Sequence, residues 1–223
     1  MTIATTILAA AVVAAGAADQ RRPSWATDSV SDTVVTLVER ATETNDGHLG
    51  KELLIEAERH ARASLAGGDD IGRRYALAVV LGLRAQAEDG RGKVQAAAAL
   101  YEELGAILAV EPNHPGARHM LGRLHAGICS MNRVTRWLAT QLVGGDVLRR
   151  ATWEAAEENL AYAEGRAPDV ADHHLQLALL YRDTGRPKLA AEEVGHALRI
   201  QPRNALERSV HAEALEVRSE LGQ

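Results

Sequence analysis

The sequence predicts an all-α fold in which pairs of helices repeat along the chain and stack as an α-solenoid. The first observation is a period of 34 residues: Pro168 and Pro202 have this spacing, and so do Ala156 and Ala190. The second is that no stretch alternates apolar and polar residues for long enough to form a strand. The third is composition, since Ala and Leu dominate, aromatic residues make up 3% and Phe is missing. Such side chains favour close helix packing over a β-sandwich.

The segment 171–204 carries the repeat most clearly. Thirty-four residues is the period of the tetratricopeptide repeat, a pair of antiparallel helices. His174 takes the first aromatic position of that pattern, Gly185 stands where the first helix should end, and Pro187 stands where the second should begin. The positions where the two helices must approach closely are occupied by Ala178, Ala190 and Ala197.

The preceding unit is longer than one repeat. Its Pro112 lies 56 residues before Pro168, so the unit contains about 22 extra residues. They fall between its two helices, at about 132–151, where residues 134–142 have the apolar spacing of a short amphipathic helix. We therefore predict a right-handed α-solenoid of about four tetratricopeptide-like helix pairs, with a helical insertion in the third pair and a C-terminal capping helix. The other predicted helices are 31–42, 50–66, 75–87, 93–110 and the cap 205–221.

Residues 1–17 have the features of an export signal. They carry no charged side chain, residues 7–15 are apolar, and Ala15-Gly16-Ala17 supplies a small-x-small cleavage pattern. The apolar run is shorter than the roughly 20 residues that a membrane-spanning helix needs. We expect cleavage to leave a helical domain of residues 18–223 that is exported, to the periplasm or outside the cell. The alternative is an N-terminal helix that packs onto the domain of a cytoplasmic protein.

Charge and cysteine content exclude several classes of protein. The chain has 25 Lys and Arg residues against 30 Asp and Glu residues, a net charge of −5. Since nucleic-acid binding requires a basic surface, no nucleic-acid partner is predicted. The single cysteine, Cys129, rules out an intramolecular disulfide and any zinc site built on two or four cysteines.

Several segments resemble one protein family. The run VEPNHPGARHMLGR at 110–123 resembles the segment that opens the long unit in regulator of microtubule dynamics proteins, and RWLA at 136–139, TWEAA at 152–156 and YAE at 162–164 resemble the segments that follow. The resemblance covers roughly residues 45–215. The chain departs from the family pattern at Leu124, where members usually have Trp.

The resemblance implies a tetratricopeptide-like binding domain without a catalytic motif. Eukaryotic members are described as microtubule-associated, and one is a membrane-contact tether whose repeat domain is similar to lipid-transfer modules. The export-like N-terminus and the preference for Arg over Lys look more like a bacterial relative, so microtubule binding is not carried over to this chain.

No residue set predicts an enzyme, a metal site or a cofactor. His173 and His174 are adjacent in a predicted helix and point about 100° apart, so they cannot share an ion. Glu56 and His60 are spaced i, i+4, but two ligands without a third do not make a site. No glycine-rich phosphate loop follows a strand. We therefore expect a non-catalytic protein with no metal.

The predicted functional surface is a groove along the first helix of each pair. In the tetratricopeptide scheme these helices line the concave side of the solenoid. The expected groove residues are Val79, Val80, Leu83, His119, Met120, Arg123, Leu175, Gln176, Leu179 and Arg182. Most are apolar, and the two arginines are placed so that both can reach one anionic group at the groove edge.

Three interpretations of the groove remain open at this point. We expect a protein-interaction scaffold that holds a protein or peptide partner in the groove. The alternative is a carrier or sensor of a lipid-like amphiphile, with alkyl chain on Leu and Val and an anionic head on Arg, which is compatible with peripheral membrane contact. The third is that the same apolar residues are core, covered by the insertion or by the C-terminal helix.

Overall fold

The computed structural model describes residues 22–131, Thr140 and residues 150–222. These residues form nine helices and no strand, as the sequence predicts. The helices are α1 (Asp32–Glu43), α2 (Gly47–Ala66), α3 (Ile71–Ala87), α4 (Gly90–Val110), α5 (Pro115–Cys129), α6 (Trp153–Arg166), α7 (Ala171–Asp183), α8 (Pro187–Arg199) and α9 (Ala205–Glu220). The predicted export signal at 1–17 lies outside the described residues. So does the predicted inserted helix at 134–142, except for Thr140.

Local sequence explains where the helices begin. Asp46, Asp70, Thr152 and Asn204 each precede a helix, and the side-chain oxygen of each accepts a backbone N–H from the first turn. Such a cap satisfies a donor that has no partner inside the helix, and its loss costs about 1 kcal/mol. Between α7 and α8 the chain turns at Gly185, whose φ of 74° lies in the left-handed region that favours glycine.

The helices pack in chain order, which is consistent with a helical solenoid. Each helix contacts the next one, and the closest pairs are α1 with α2, α3 with α4, α5 with α6 and α7 with α8. In addition α3 contacts α5, and α5 contacts α7, so these three helices form an inner layer. The last helix, α9, packs on α7 and α8 and also reaches α1, where Arg208 pairs with Glu43 at 2.7 Å.

Apolar clusters between the helices hold this arrangement together. The largest cluster contains residues from all five of the helices α1, α2, α3, α4 and α5, and it includes the fully buried Leu77, Leu104 and Ile107. A second joins α7, α8 and α9 through Leu175, Val194 and other residues. Fully burying one such side chain stabilises the fold by about 1.5–3 kcal/mol.

One close helix contact depends on a glycine. A Cβ atom at Gly122 on α5 would lie 2.7 Å from the Cγ of Leu160 on α6 and 3.0 Å from the carbonyl oxygen of Ala156. No other residue type fits there without movement of α6. Glycine at this position therefore sets the separation of α5 and α6.

Within the part of the chain that the structure describes, no helix combines the length and apolar character needed to cross a membrane.

Candidate binding cavity

A large cavity opens on the inner layer of helices. Its volume is about 1410 Å³, and its walls come from α3, α4, α5, α7 and α9, with residues 23–25 at one side. The helix α9 covers part of this space without filling it. The inner face is therefore neither a sealed core nor a flat surface.

Eight of the ten groove residues predicted from the sequence line this cavity. The other two, Val80 and Leu175, do not, and for them the expectation is wrong. Val80 is fully buried in the cluster of α1 to α5, and Leu175 is fully buried between α7, α8 and α9. Neighbouring helix positions point about 100° apart, so Val79 can face the cavity while Val80 faces the core. The apolar surface in the cavity is narrower than predicted.

Asp172 on α7 is the centre of a polar cluster on the cavity wall. Its Oδ2 atom accepts hydrogen bonds from His119 Nε2 and from Arg123 Nη1, each at 2.9 Å, and its Oδ1 atom accepts one from Gln176 Nε2 at 3.0 Å. His119 is almost fully buried, while about a quarter of the Asp172 side chain stays exposed. One carboxylate thus joins the inner helices α5 and α7.

These contacts fix the charge of the cluster. Burial alone would raise the pKa of the Asp172 carboxyl, but Arg123 and His119 beside it hold that pKa far below its usual range. Burial, with a smaller effect of Asp172, raises the pKa of the nearby Tyr75 phenol. Burial and the neighbouring His119 lower the pKa of His173 to about 4, and its Nδ1–H donates to the Ala167 carbonyl at 3.1 Å. At neutral pH the cluster contains an ionised Asp172 and a neutral His173.

The two arginines of the predicted groove are both paired with carboxylates of the chain itself. Arg123 binds Asp172, as above, and Arg182 binds Asp183 at 3.0 Å and Glu220 at 2.8 Å. These carboxylates compete with any external anion for the two guanidinium groups, and the expectation that both can reach one anionic group stays a prediction. The sequence pattern placed them on the inner helices correctly and predicted the helix that became α9, but it did not predict that Glu220 of α9 pairs with Arg182.

Acidic side chains outnumber basic ones around the cavity. Nine Asp and Glu residues line it, against four Lys and Arg residues. Glu213 and Glu216 on α9 form no ion pair with any described residue. The surrounding protein removes part of the water from the Glu213 carboxyl and so raises its pKa, and the nearby Asp172 and Glu216 add to this effect. The carboxylates of Glu213 and Glu216, which have no ion pair within the described ranges, favour a positively charged occupant.

A comparison with known protein families shows which family the chain belongs to. The sequence model of the family described as Regulator of microtubule dynamics protein 1-3 matches residues 31–222, a range that contains all nine helices. The chain belongs to this family. A comparison with curated proteins found no match. The family match is wider than the resemblance seen in the sequence motifs, since it includes α1 and the last turn of α9.

Several cavity residues of this family member could not be found from the repeat pattern. Tyr75 precedes the positions that the pattern assigns to the groove, and Glu213 lies on α9, which is outside any repeat. The apolar spacing of Val210, Ala214 and Val217 predicts one buried face for α9. Glu213 lies beside that face, and its position there could have indicated that it lines the cavity.

Proposed function

We propose that the chain is a non-catalytic helical-repeat module that binds a segment of a partner protein in the cavity of the inner layer. The observation that carries this proposal is the cavity itself, with Val79, Leu83, Met120 and Leu179 on its walls and carboxylates around them. Its volume of about 1410 Å³ exceeds the roughly 300–1,000 Å³ typical of small-molecule pockets. An extended peptide or a helix from another protein fits such a space.

The chemistry of the walls favours a segment with basic and apolar side chains. Apolar groups of the partner would pack on Leu83 and Leu179, while Lys or Arg side chains would pair with Glu213 and Glu216. Complementary charge of this kind speeds association and selects among partners. The Asp172 cluster supports a binding role rather than a catalytic one, because its carboxylate is held by three donors of the chain.

The alternative, a carrier or sensor of a lipid-like amphiphile, has weaker support. An anionic headgroup needs a cation, and both Arg123 and Arg182 are already bound by carboxylates. Of the four basic residues that line the cavity, only Lys93 forms no ion pair with a described residue. The surplus of acidic residues would also repel such a headgroup. The apolar residues of the cavity could still hold an alkyl chain, so a lipid-transfer assay is included among the tests.

The proposal also includes tetratricopeptide-like repeats, a right-handed solenoid and export of the protein. The 34-residue spacing and the buried Ala178, Ala190 and Ala197 at the contact of α7 with α8 support tetratricopeptide-like repeats in a right-handed solenoid. The small-x-small pattern at 15–17 supports export after cleavage, as in a bacterial member of the family.

A random peptide library displayed on phage would test the proposed function. We expect the wild-type protein to enrich peptides that combine Lys or Arg with apolar residues, and their binding, measured by fluorescence polarisation, to weaken as salt increases. The double variant Glu213→Gln, Glu216→Gln should bind the selected peptides more weakly. The matched control is Glu192→Gln, since Glu192 is exposed on α8 and does not line the cavity.

Two outcomes would contradict this function. The first is a failure to enrich peptides, or equal binding by the double variant and the control. The second is transfer of a fluorescent phospholipid between vesicles that Leu179→Asp abolishes, which would replace the partner segment with a lipid. The exposed Leu189 on α8 offers the control Leu189→Asp for that assay.

A further inference from the structure

Three side chains with metal-binding atoms meet between α7 and α8, outside the cavity. In the described part of the chain, His174, Glu193 and His196 each offer one ligand atom, and these atoms all lie within 4.8 Å of one another. Glu193 and His196 are spaced i, i+3 on α8, and His174 comes from α7. Spacing along a single helix does not reveal this set, because two helices form it together.

The separations of these atoms are close to those around a small metal ion. Glu193 Oε2 lies 2.8 Å from His174 Nδ1 and 3.6 Å from His196 Nδ1. In a tetrahedral zinc site with bonds of about 2.0–2.1 Å, neighbouring ligand atoms are about 3.3 Å apart. The observed pairs lie on either side of that value. The His196 side chain is 44% exposed and so has room to rotate toward the other two ligand atoms.

A hydrogen bond to a backbone carbonyl fixes the orientation of the His174 ring, as is common for histidines that bind metals. Its Nε2 atom lies 2.9 Å from the carbonyl oxygen of Pro168. A carbonyl only accepts, so Nε2 carries a hydrogen. Nδ1 faces Glu193 and hydrogen-bonds its carboxylate at 2.8 Å, and zinc would take the place of the Nδ1 hydrogen. Metal-binding histidines commonly donate their second N–H to a carbonyl or carboxylate in this way, which fixes the ring. His174 is nearly fully buried, so its ring cannot swing away to solvent.

We propose that His174, Glu193 and His196 form a zinc-binding site that ties α7 to α8. Two imidazoles and one carboxylate are a donor set that zinc accepts with a fourth position left for water. Calcium and magnesium prefer oxygen ligands, so this set discriminates against them. The partly exposed His196 leaves that fourth position open to solvent. Bound zinc stabilises the helix pair because the unfolded chain does not hold the three ligands together.

Zinc titration of tag-free, chelator-treated protein tests the site. We expect one zinc ion per chain by calorimetry, and a rise in melting temperature with ZnCl2 that MgCl2 and CaCl2 do not produce. His196→Ala should weaken zinc binding at least about tenfold and remove the rise in melting temperature, since even second-shell losses cost about 10–100-fold. Because His196 is partly exposed, this variant is expected to fold.

The matched control is His48→Ala. His48 lies on α2 with its Nδ1 atom 3.6 Å from Glu52, so it forms an exposed His–Glu pair without a third ligand. This variant should bind zinc like the wild type, and Glu193→Gln should bind it more weakly. The site is overturned if wild-type protein binds no stoichiometric zinc, or if His196→Ala and His48→Ala bind it equally. Neither result bears on the cavity, which contains none of these residues.

Discussion

The imidazole of His119 on α5 donates a hydrogen bond to the carboxylate of Asp172 on α7, with 2.9 Å between Nε2 and Oδ2. The two residues are 53 positions apart and belong to the inner helices of successive pairs. The helices α5 and α7 share a smaller contact than the helices within each pair. A charge-assisted hydrogen bond therefore joins two inner helices that have only a small contact with each other.

Replacing Asp172 by Asn should destabilise the protein. The amide keeps the size of the side chain but removes the negative charge that Arg123 and the buried His119 face. We expect the free energy of unfolding, measured by urea denaturation, to fall by about 1–3 kcal/mol, the usual cost of leaving buried polar groups unpaired. Asp32→Asn is the control, since Asp32 pairs with Arg22 but is 90% exposed, and it should change stability by less than about 1 kcal/mol. Equal losses would contradict the structural role of Asp172.

His173 should make the protein less stable in mild acid. Its pKa is about 4 in the folded protein and 6.5 without the fold, so the unfolded chain binds more protons between these values. Stability therefore falls as pH decreases from about 6.5 and levels off near pH 4, by up to about 3 kcal/mol from this group. Urea denaturation at a series of pH values measures the effect.

The variant His173→Asn isolates this contribution. Asn keeps an N–H donor close to the position from which His173 Nδ1 donates to Ala167, and it does not titrate. The loss of stability between pH 7 and pH 4.5 should be smaller in this variant than in the wild type. In His48→Asn, where the side chain is 81% exposed, the pH profile should stay that of the wild type. A wild-type profile in His173→Asn would mean that other groups cause the acid sensitivity.

The helical fold could be predicted because its signals are local. Gly185 and Pro187 mark helix ends that the structure confirms. The sequence predicts the start of α3 at residue 75, and it lies at Ile71, because the Asp70 cap begins the helix one turn earlier. A period in sequence also predicts which helices form pairs. The contact of α9 with α1 could not be predicted, because α9 belongs to no repeat and the distance between the two helices depends on every turn in between.

The cavity residues could be predicted only as far as the repeat register reaches. The register placed Leu179 and Arg123 on the inner face correctly, since that face depends on helix periodicity alone. It failed at Val80 and Leu175, where a neighbouring helix covers the side chain. The partners of a charged group come from distant segments, so the pairing of Arg182 with Glu220 had no local signal.

Gly122→Ala should destabilise the contact of α5 with α6. The added methyl group would lie 2.7 Å from Leu160 Cγ, and overpacking of this kind costs about 1–3 kcal/mol. Alanine is the better helix former by about 1 kcal/mol, so the net loss should be up to about 2 kcal/mol in urea denaturation. The control is Gly105→Ala on α4, where a Cβ meets no atom within 4 Å. That variant should be more stable than the wild type, and a gain at Gly122 as well would contradict the close contact.

Two aspartates at helix starts should differ in what they contribute to stability. Asp70 precedes α3, and its Oδ1 atom accepts the Arg73 backbone N–H at 2.9 Å and the Ser29 hydroxyl at 3.1 Å. Asp89 precedes α4 and makes no such cap hydrogen bond. Asp70→Ala should lower the free energy of unfolding by about 1–2 kcal/mol, and Asp89→Ala by less than about 0.5 kcal/mol.

Because the Arg73 N–H holds the pKa of Asp70 below its usual value, the difference between the two variants should shrink as pH falls below about 4. Urea denaturation at pH 7 and pH 3.5 measures both effects, and equal losses at the two aspartates would show that the Asp70 cap contributes nothing.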